Sequence, residues 1–88
     1  MVSKSVKIKN ATGLHLRPAG LLCETAMGYA SSVTFKTDDN YEANAKSVLS
    51  VLGACVKTGT TIELICNGPD EEEALAGISK AIEAGLGE

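Results

Sequence analysis

His15 is the one histidine in a chain of 88 residues, and Arg17 follows it by two positions. The pair stands where Gly13-Leu14 leaves a turn and Leu16-Arg17-Pro18 opens a helix, so His15 has the backbone context of an N-cap. The unpaired N–H groups and the positive dipole end of a helix start favour an anion there. Arg17 adds a permanent charge whose forked donors suit phosphate oxygens. A neutral imidazole in that setting is a nucleophile toward phosphorus, and the same donors would hold the phosphoryl group once attached. Capping alone would require no arginine, so the pairing favours chemistry over a merely structural histidine.

No second catalytic group accompanies the pair. The chain has no Ser-His-Asp set and no phosphate-binding glycine loop, and no Asp or Glu lies within a few residues of His15 to act as a base. An autonomous hydrolase or kinase is therefore disfavoured, which leaves a covalent acceptor whose reaction is completed by a larger protein. Cys23, Cys55 and Cys66 are odd in number, lack C-x-x-C spacing and lie in apolar stretches, and are read as buried and reduced. With a single histidine and no paired cysteines, neither a metal site nor a cofactor is expected.

The elements that position His15 follow from periodicity. Val6 and Ile8 alternate with Ser5, Lys7 and Lys9, predicting a strand over 2–9 that Asn10 to Gly13 breaks. Ala19, Leu22, Cys23 and Ala26 then share one helical face, with Pro18 in the tolerant first turn and Gly28 as the stop. Val33 and Phe35, the turn Asp38-Asp39-Asn40, and Tyr41, Ala43 and Ala45 read as a hairpin. Ser47 caps a short helix whose stripe is Val48, Val51, Leu52 and Cys55, and Gly59 is its expected terminator. Ile62, Leu64 and Cys66 form a fourth strand ending at Asn67-Gly68-Pro69. In the last helix Asp70 is the N-cap, Glu73 takes the capping-box position, and Leu75, Ile78 and Ile82 form the buried stripe.

The order β-α-β-β-α-β-α predicts an α+β open-faced sandwich: a four-stranded antiparallel sheet, covered on one face by three helices and wet on the other. So short a chain encloses one core, giving a single domain over 1–88. Hydrophobic residues make up 44% of it, yet there is no Trp and only one Phe, so that core is aliphatic. Eight basic against eleven acidic residues, with no basic block, argue against nucleic acid. The N-terminal segment lacks the apolar run of a signal peptide and no stretch is long enough to span a bilayer, so a cytoplasmic protein without membrane contact is expected.

The string Gly13-Leu14-His15-Leu16-Arg17-Pro18-Ala19-Gly20, with Lys46-Ser47-Val48-Leu49-Ser50-Val51-Leu52 downstream, resembles the HPr family over essentially the whole chain. The resemblance implies a phosphocarrier of the bacterial phosphoenolpyruvate-dependent phosphotransferase system rather than an enzyme. In that role enzyme I phosphorylates the histidine at Nδ1 and enzyme IIA proteins receive the group. Carried over by position, His15 is the acceptor and Arg17 its stabiliser. Ser47 occupies the place of the serine phosphorylated by HPr kinase in many Gram-positive bacteria, displaced by one residue because the hairpin is longer by one.

A phosphate at that helix start would suit the dipole, and Ser47 read without the resemblance is an ordinary N-cap. The resemblance further implies a docking patch of Leu16, Gly20, Val48, Leu49 and Leu52. It makes enzyme I, enzyme IIA proteins, HPr kinase/phosphorylase and a catabolite-control transcription factor the expected partners of a monomer. Two departures bear on those partners. Where relatives often carry Lys or Arg late in the first helix, this chain has Glu24, Met27 and Gly28, and the segment Gly68 to Ala76 resembles the nitrogen-related NPr branch. A nitrogen-branch carrier, and a regulator controlled through Ser47 alone, are therefore the alternatives. Regulators of the second kind resemble this chain but lack the histidine.

Overall fold

The computed structural model describes residues 1–87; Glu88, the last residue of the expected domain, lies outside the described residues. In chain order the elements are β1 (Val2–Lys7), α1 (Leu16–Met27), β2 (Ser32–Lys36), β3 (Glu42–Asn44), α2 (Val48–Gly53), β4 (Thr61–Asn67) and α3 (Glu71–Glu83), the order read from the sequence. The strands form one sheet in the order β1-β4-β2-β3, with every neighbouring pair antiparallel. The open-faced sandwich is thus the observed architecture.

Strand alternation becomes two faces. Val6, Val33, Phe35, Ala43, Ile62, Leu64 and Cys66 are buried against the helices. On the open face Ser5, Lys36 and Glu42 are exposed with Glu63, which register places opposite both Ser5 and Lys36. The helices complete the core with Ala19 and Leu22 of α1, Val51 of α2, and Ala74, Ile78 and Ile82 of α3. Leu75, assigned to the buried stripe from sequence, is only half-buried; Ser79 takes that depth instead and satisfies its hydroxyl on the Leu75 carbonyl.

Several boundaries differ from expectation. Strand β1 stops at Lys7, yet Ile8 remains buried, its amide bonded to the Thr60 carbonyl at 2.8 Å and its carbonyl to the Gly59 amide at 2.7 Å. Helix α2 ends at Gly53 rather than running to Gly59, because Cys55 turns left-handed at φ 53°. Gly59, also left-handed at φ 85°, instead turns the chain toward β4. Cys55 is consequently exposed rather than buried. Cys23 is half-buried and donates to the Lys46 carbonyl, and Cys66 alone is fully buried, where desolvation and the charges of Asp70 and Glu71 push its thiol up.

Asp70 holds the N-cap position of α3, but its side chain does not cap the helix. Its carboxylate accepts from the Ala30 and Ser31 amides, each at 2.9 Å, and from the Ser31 hydroxyl at 2.5 Å. These bonds, the Ser31 hydroxyl foremost and the Ala30 amide next, hold that carboxyl below its ordinary range. Glu73 is exposed, and it is Glu71 that reaches back to the Gly68 amide at 3.0 Å. Asp70 therefore fastens the connection between α1 and β2 to the start of α3, a tertiary clamp rather than a local cap. Among the described residues no helix is long and apolar enough to cross a membrane.

Candidate functional site

The loop before His15 is built by Asn10 and Gly13. Asn10 is 4% exposed; its side-chain amide donates to the Gly13 carbonyl, and its backbone carbonyl accepts the Gly13 amide at 3.1 Å. Gly13 is required twice over. Its φ of 65° lies where a side chain is strained, and a Cβ would stand 2.8 Å from the Lys57 Cα. The next amide, that of Leu14, bonds to the Val56 carbonyl at 2.9 Å. The segment after α2 is thereby pinned against the segment that delivers His15.

His15 then occupies the N-cap of α1 with extended backbone, at φ −74° and ψ −175°. Its carbonyl accepts the Ala19 amide at 2.8 Å, while its side chain makes no capping hydrogen bond and is exposed. Capping has left the ring unused. The Leu16 and Arg17 amides open the helix and have no acceptor within it, whereas Pro18 removes an N–H that would otherwise be a further orphan. Both amides and the dipole they terminate thus lie within the helix turn that His15 opens.

A shallow cleft of about 300 Å³ adjoins the histidine. Buried Leu14 and Val56 and half-buried Leu52 give it an apolar part, and exposed His15, Leu16, Cys55 and Lys57 complete its lining. Arg17 is exposed on the first turn of α1 and does not line the cleft. Among the described residues its guanidinium has no ion-pair partner, so its donors remain available to an anion.

Ser47 is the cap read from the sequence: its hydroxyl accepts the Ser50 amide at 3.2 Å. It sits at the opposite end of α2 from the cleft residue Leu52, roughly 8 Å away along the helix axis. The adjoining Lys46 is tied to the segment that follows α1, its ammonium donating to the Tyr29 carbonyl at 2.7 Å. Of the expected patch, Leu16 and Leu49 are 69% and 82% exposed, and Gly20, Val48 and Leu52 are half-buried. Helical spacing puts Leu16, Gly20 and the exposed Met27 on one side of α1.

Sequence reading missed Asn10, Cys55 and Lys57 as parts of this site. Asn10 carries the local signature of a strand breaker, which a buried loop anchor shares. The other two lay in a segment assigned to helix up to Gly59, and nothing in the sequence marks the left-handed residue at Cys55.

A sequence model described as the PTS HPr component phosphorylation site matches residues 2–84. The chain belongs to the HPr family. It is 38% identical over 87 residues to the phosphocarrier protein NPr of Escherichia coli (strain K12), covering 99% of this chain and 97% of that protein. It is 41% identical over 75 residues to the HPr-like protein Crh of Bacillus subtilis (strain 168), covering 85% and 87%. The crystal structure of HPr-C-His from Thermoanaerobacter tengcongensis superposes with a TM-score of 0.93 at 38% identity, over 100% of this chain and 98% of that one. Members of the HPr family are phosphocarriers of the phosphotransferase system, carrier proteins rather than catalysts. The exposed His15 imidazole beside an open, shallow cleft is accessible to the face of a larger protein.

Proposed function

We propose that His15 accepts a phosphoryl group from enzyme I at Nδ1 and passes it to an enzyme IIA protein. In each transfer a ring nitrogen lone pair attacks phosphorus, the N–P bond forms as the donor's bond to phosphorus breaks, and that electron pair returns to the donor. The observation that carries this reading is the state of His15, an exposed imidazole at a helix start that makes no capping bond. The first-turn amides and Arg17 supply the positive field in which the product phosphoryl is held. The apolar patch of Leu16, Gly20, Val48, Leu49 and Leu52 receives the partner, and HPr kinase/phosphorylase acts on Ser47, whose phosphate then hinders that docking.

The test is incubation with phosphoenolpyruvate and enzyme I, followed by intact mass. One added phosphoryl that is labile in acid is expected, because a phosphoramidate hydrolyses there while a seryl ester persists. His15→Ala abolishes it, and Arg17→Ala slows it by about tenfold or more without lowering the melting temperature. Label retained in His15→Ala, or stable to acid, refutes the reading.

The near full-length similarity to an NPr protein favours a second reading, a nitrogen-branch carrier with the same chemistry. The two part on the donor. A sugar-branch carrier is phosphorylated faster by the sugar-branch enzyme I, a nitrogen-branch carrier by its paralogue.

A further inference from the structure

We propose that Lys57 is the second cation of the phosphoryl site, its ammonium pairing with the phosphoryl oxygens on His15 from within the adjoining cleft. This rests on the reading of His15 as the acceptor and adds a residue that the sequence motif around the histidine does not contain.

Four observations place it there. Lys57 lines the same 300 Å³ cleft as His15, and it is the one cation among the lining residues. Its backbone is fixed against the histidine's loop, because the Lys57 Cα stands 2.8 Å from where a Gly13 side chain would begin and the preceding carbonyl, that of Val56, holds the Leu14 amide. The side chain is exposed and, among the described residues, has neither an ion pair nor a hydrogen-bond partner, so no existing contact has to break. Lastly, α1 carries no cation after Arg17, and Lys46, just before α2, is bound to the Tyr29 carbonyl.

The chemistry is that of a point charge. Transfer to His15 brings a phosphoryl dianion to a cleft whose lining is largely apolar, and the helix amides and Arg17 meet it from α1 alone. A flexible ammonium anchored two residues beyond Cys55 meets the oxygens left over. Asp38 and Asp39 line a second cleft with Lys57, and Thr37 holds the Asp39 carboxyl below its ordinary range. An ionised carboxylate is thus the competitor for the ammonium when His15 is bare.

The experiment compares wild type, Lys57→Met, Lys57→Arg and Lys36→Met, the last removing an equal charge from the open sheet face. Rates of phosphorylation by enzyme I are measured, and the phosphorus resonance of the phosphohistidine is titrated. Lys57→Met is expected to slow acceptance by about three- to fivefold, as befits one solvent-exposed charge pair. It should also raise the pH at which the phosphoryl takes up its proton, since a cation favours the dianion. Lys57→Arg restores both, and Lys36→Met changes neither. Wild-type behaviour of Lys57→Met, or an equal loss in Lys36→Met, overturns the proposal. A wild-type chain that takes no label on His15 overturns this proposal and the carrier reading together, and a labelled wild type with an unaffected Lys57→Met overturns this one alone.

Discussion

The Leu14 amide donates to the Val56 carbonyl at 2.9 Å, and this bond joins the loop that presents the histidine to the segment that walls its cleft. Gly13 makes the approach possible, since a side chain there would meet the Lys57 backbone and would sit at φ 65°. Gly13→Ala should therefore cost about 3 kcal/mol, combining left-handed strain with overpacking against backbone that cannot rotate away. Urea denaturation measures it. A loss below about 0.5 kcal/mol, the size of an ordinary surface change, would mean that the two loops are not held together as described.

Gly20 presents the opposite case. Nothing lies within 4 Å of where its Cβ would be, and it sits inside α1. Gly20→Ala is expected to stabilise the chain by about 0.5–1 kcal/mol through the unfolded state's lost freedom. Its transfer kinetics then report on docking alone. Slower transfer from a more stable protein places Gly20 at the partner interface, and unchanged transfer removes it from the patch.

The fold was legible in the sequence wherever one period dominated. Val33 and Phe35, or Ile62, Leu64 and Cys66, could be assigned to a buried strand face because alternation leaves no other reading. His15 and Arg17 were legible because a helix-start pattern surrounds them. What failed were features decided by tertiary contact. Cys55 completes an apolar helical stripe by spacing, yet its left-handed backbone ends the helix early. Asp70 looks like a cap, but Ser31, 39 residues distant in sequence, takes its carboxylate. Lys57 enters the site only through the approach of two loops, which no local pattern encodes.

The Asp70 clamp has a pH consequence. Its carboxyl ionises below the ordinary value of 3.8 because Ser31 and Ala30 donate to the charged form. A group with a depressed folded value contributes stability above its unfolded value and loses it as pH falls through the folded one. The melting temperature should therefore hold from neutrality to about pH 4 and drop below it. Asp70→Asn should melt lower at neutral pH and show a shallower acid decline. An acid decline as steep as that of wild type would assign the transition to other carboxylates.

The cysteines should separate by accessibility. Cys55 is exposed, Cys23 is half-buried and bonded, and Cys66 is buried with its thiol pushed up. Because the thiolate is the reactive form, Cys55 should alkylate first and Cys66 only in denaturant. Cys55→Gly, compatible with φ 53°, should remove the fast phase and keep the fold. A fast phase persisting in that variant would place another thiol at the surface.

Ser47 offers the sharpest separation of docking from stability. Its hydroxyl accepts the Ser50 amide at the start of α2, and an aspartate there accepts the same bond and suits the helix dipole. Ser47→Asp should consequently shift stability by no more than about 0.5 kcal/mol. The same charge adjoins Val48 and the 82% exposed Leu49, and a partner covering that surface must desolvate it. Saturation of transfer from enzyme I should therefore require about tenfold more carrier, with the maximal rate little changed, because roughly 8 Å along the axis of α2 separates Ser47 from the cleft residue Leu52. The concentration dependence of transfer, read beside the melting temperature, tests both halves. A variant that transfers normally leaves Ser47 as a cap alone, and one that melts early enough to explain its defect shows that the aspartate is no substitute for the serine cap.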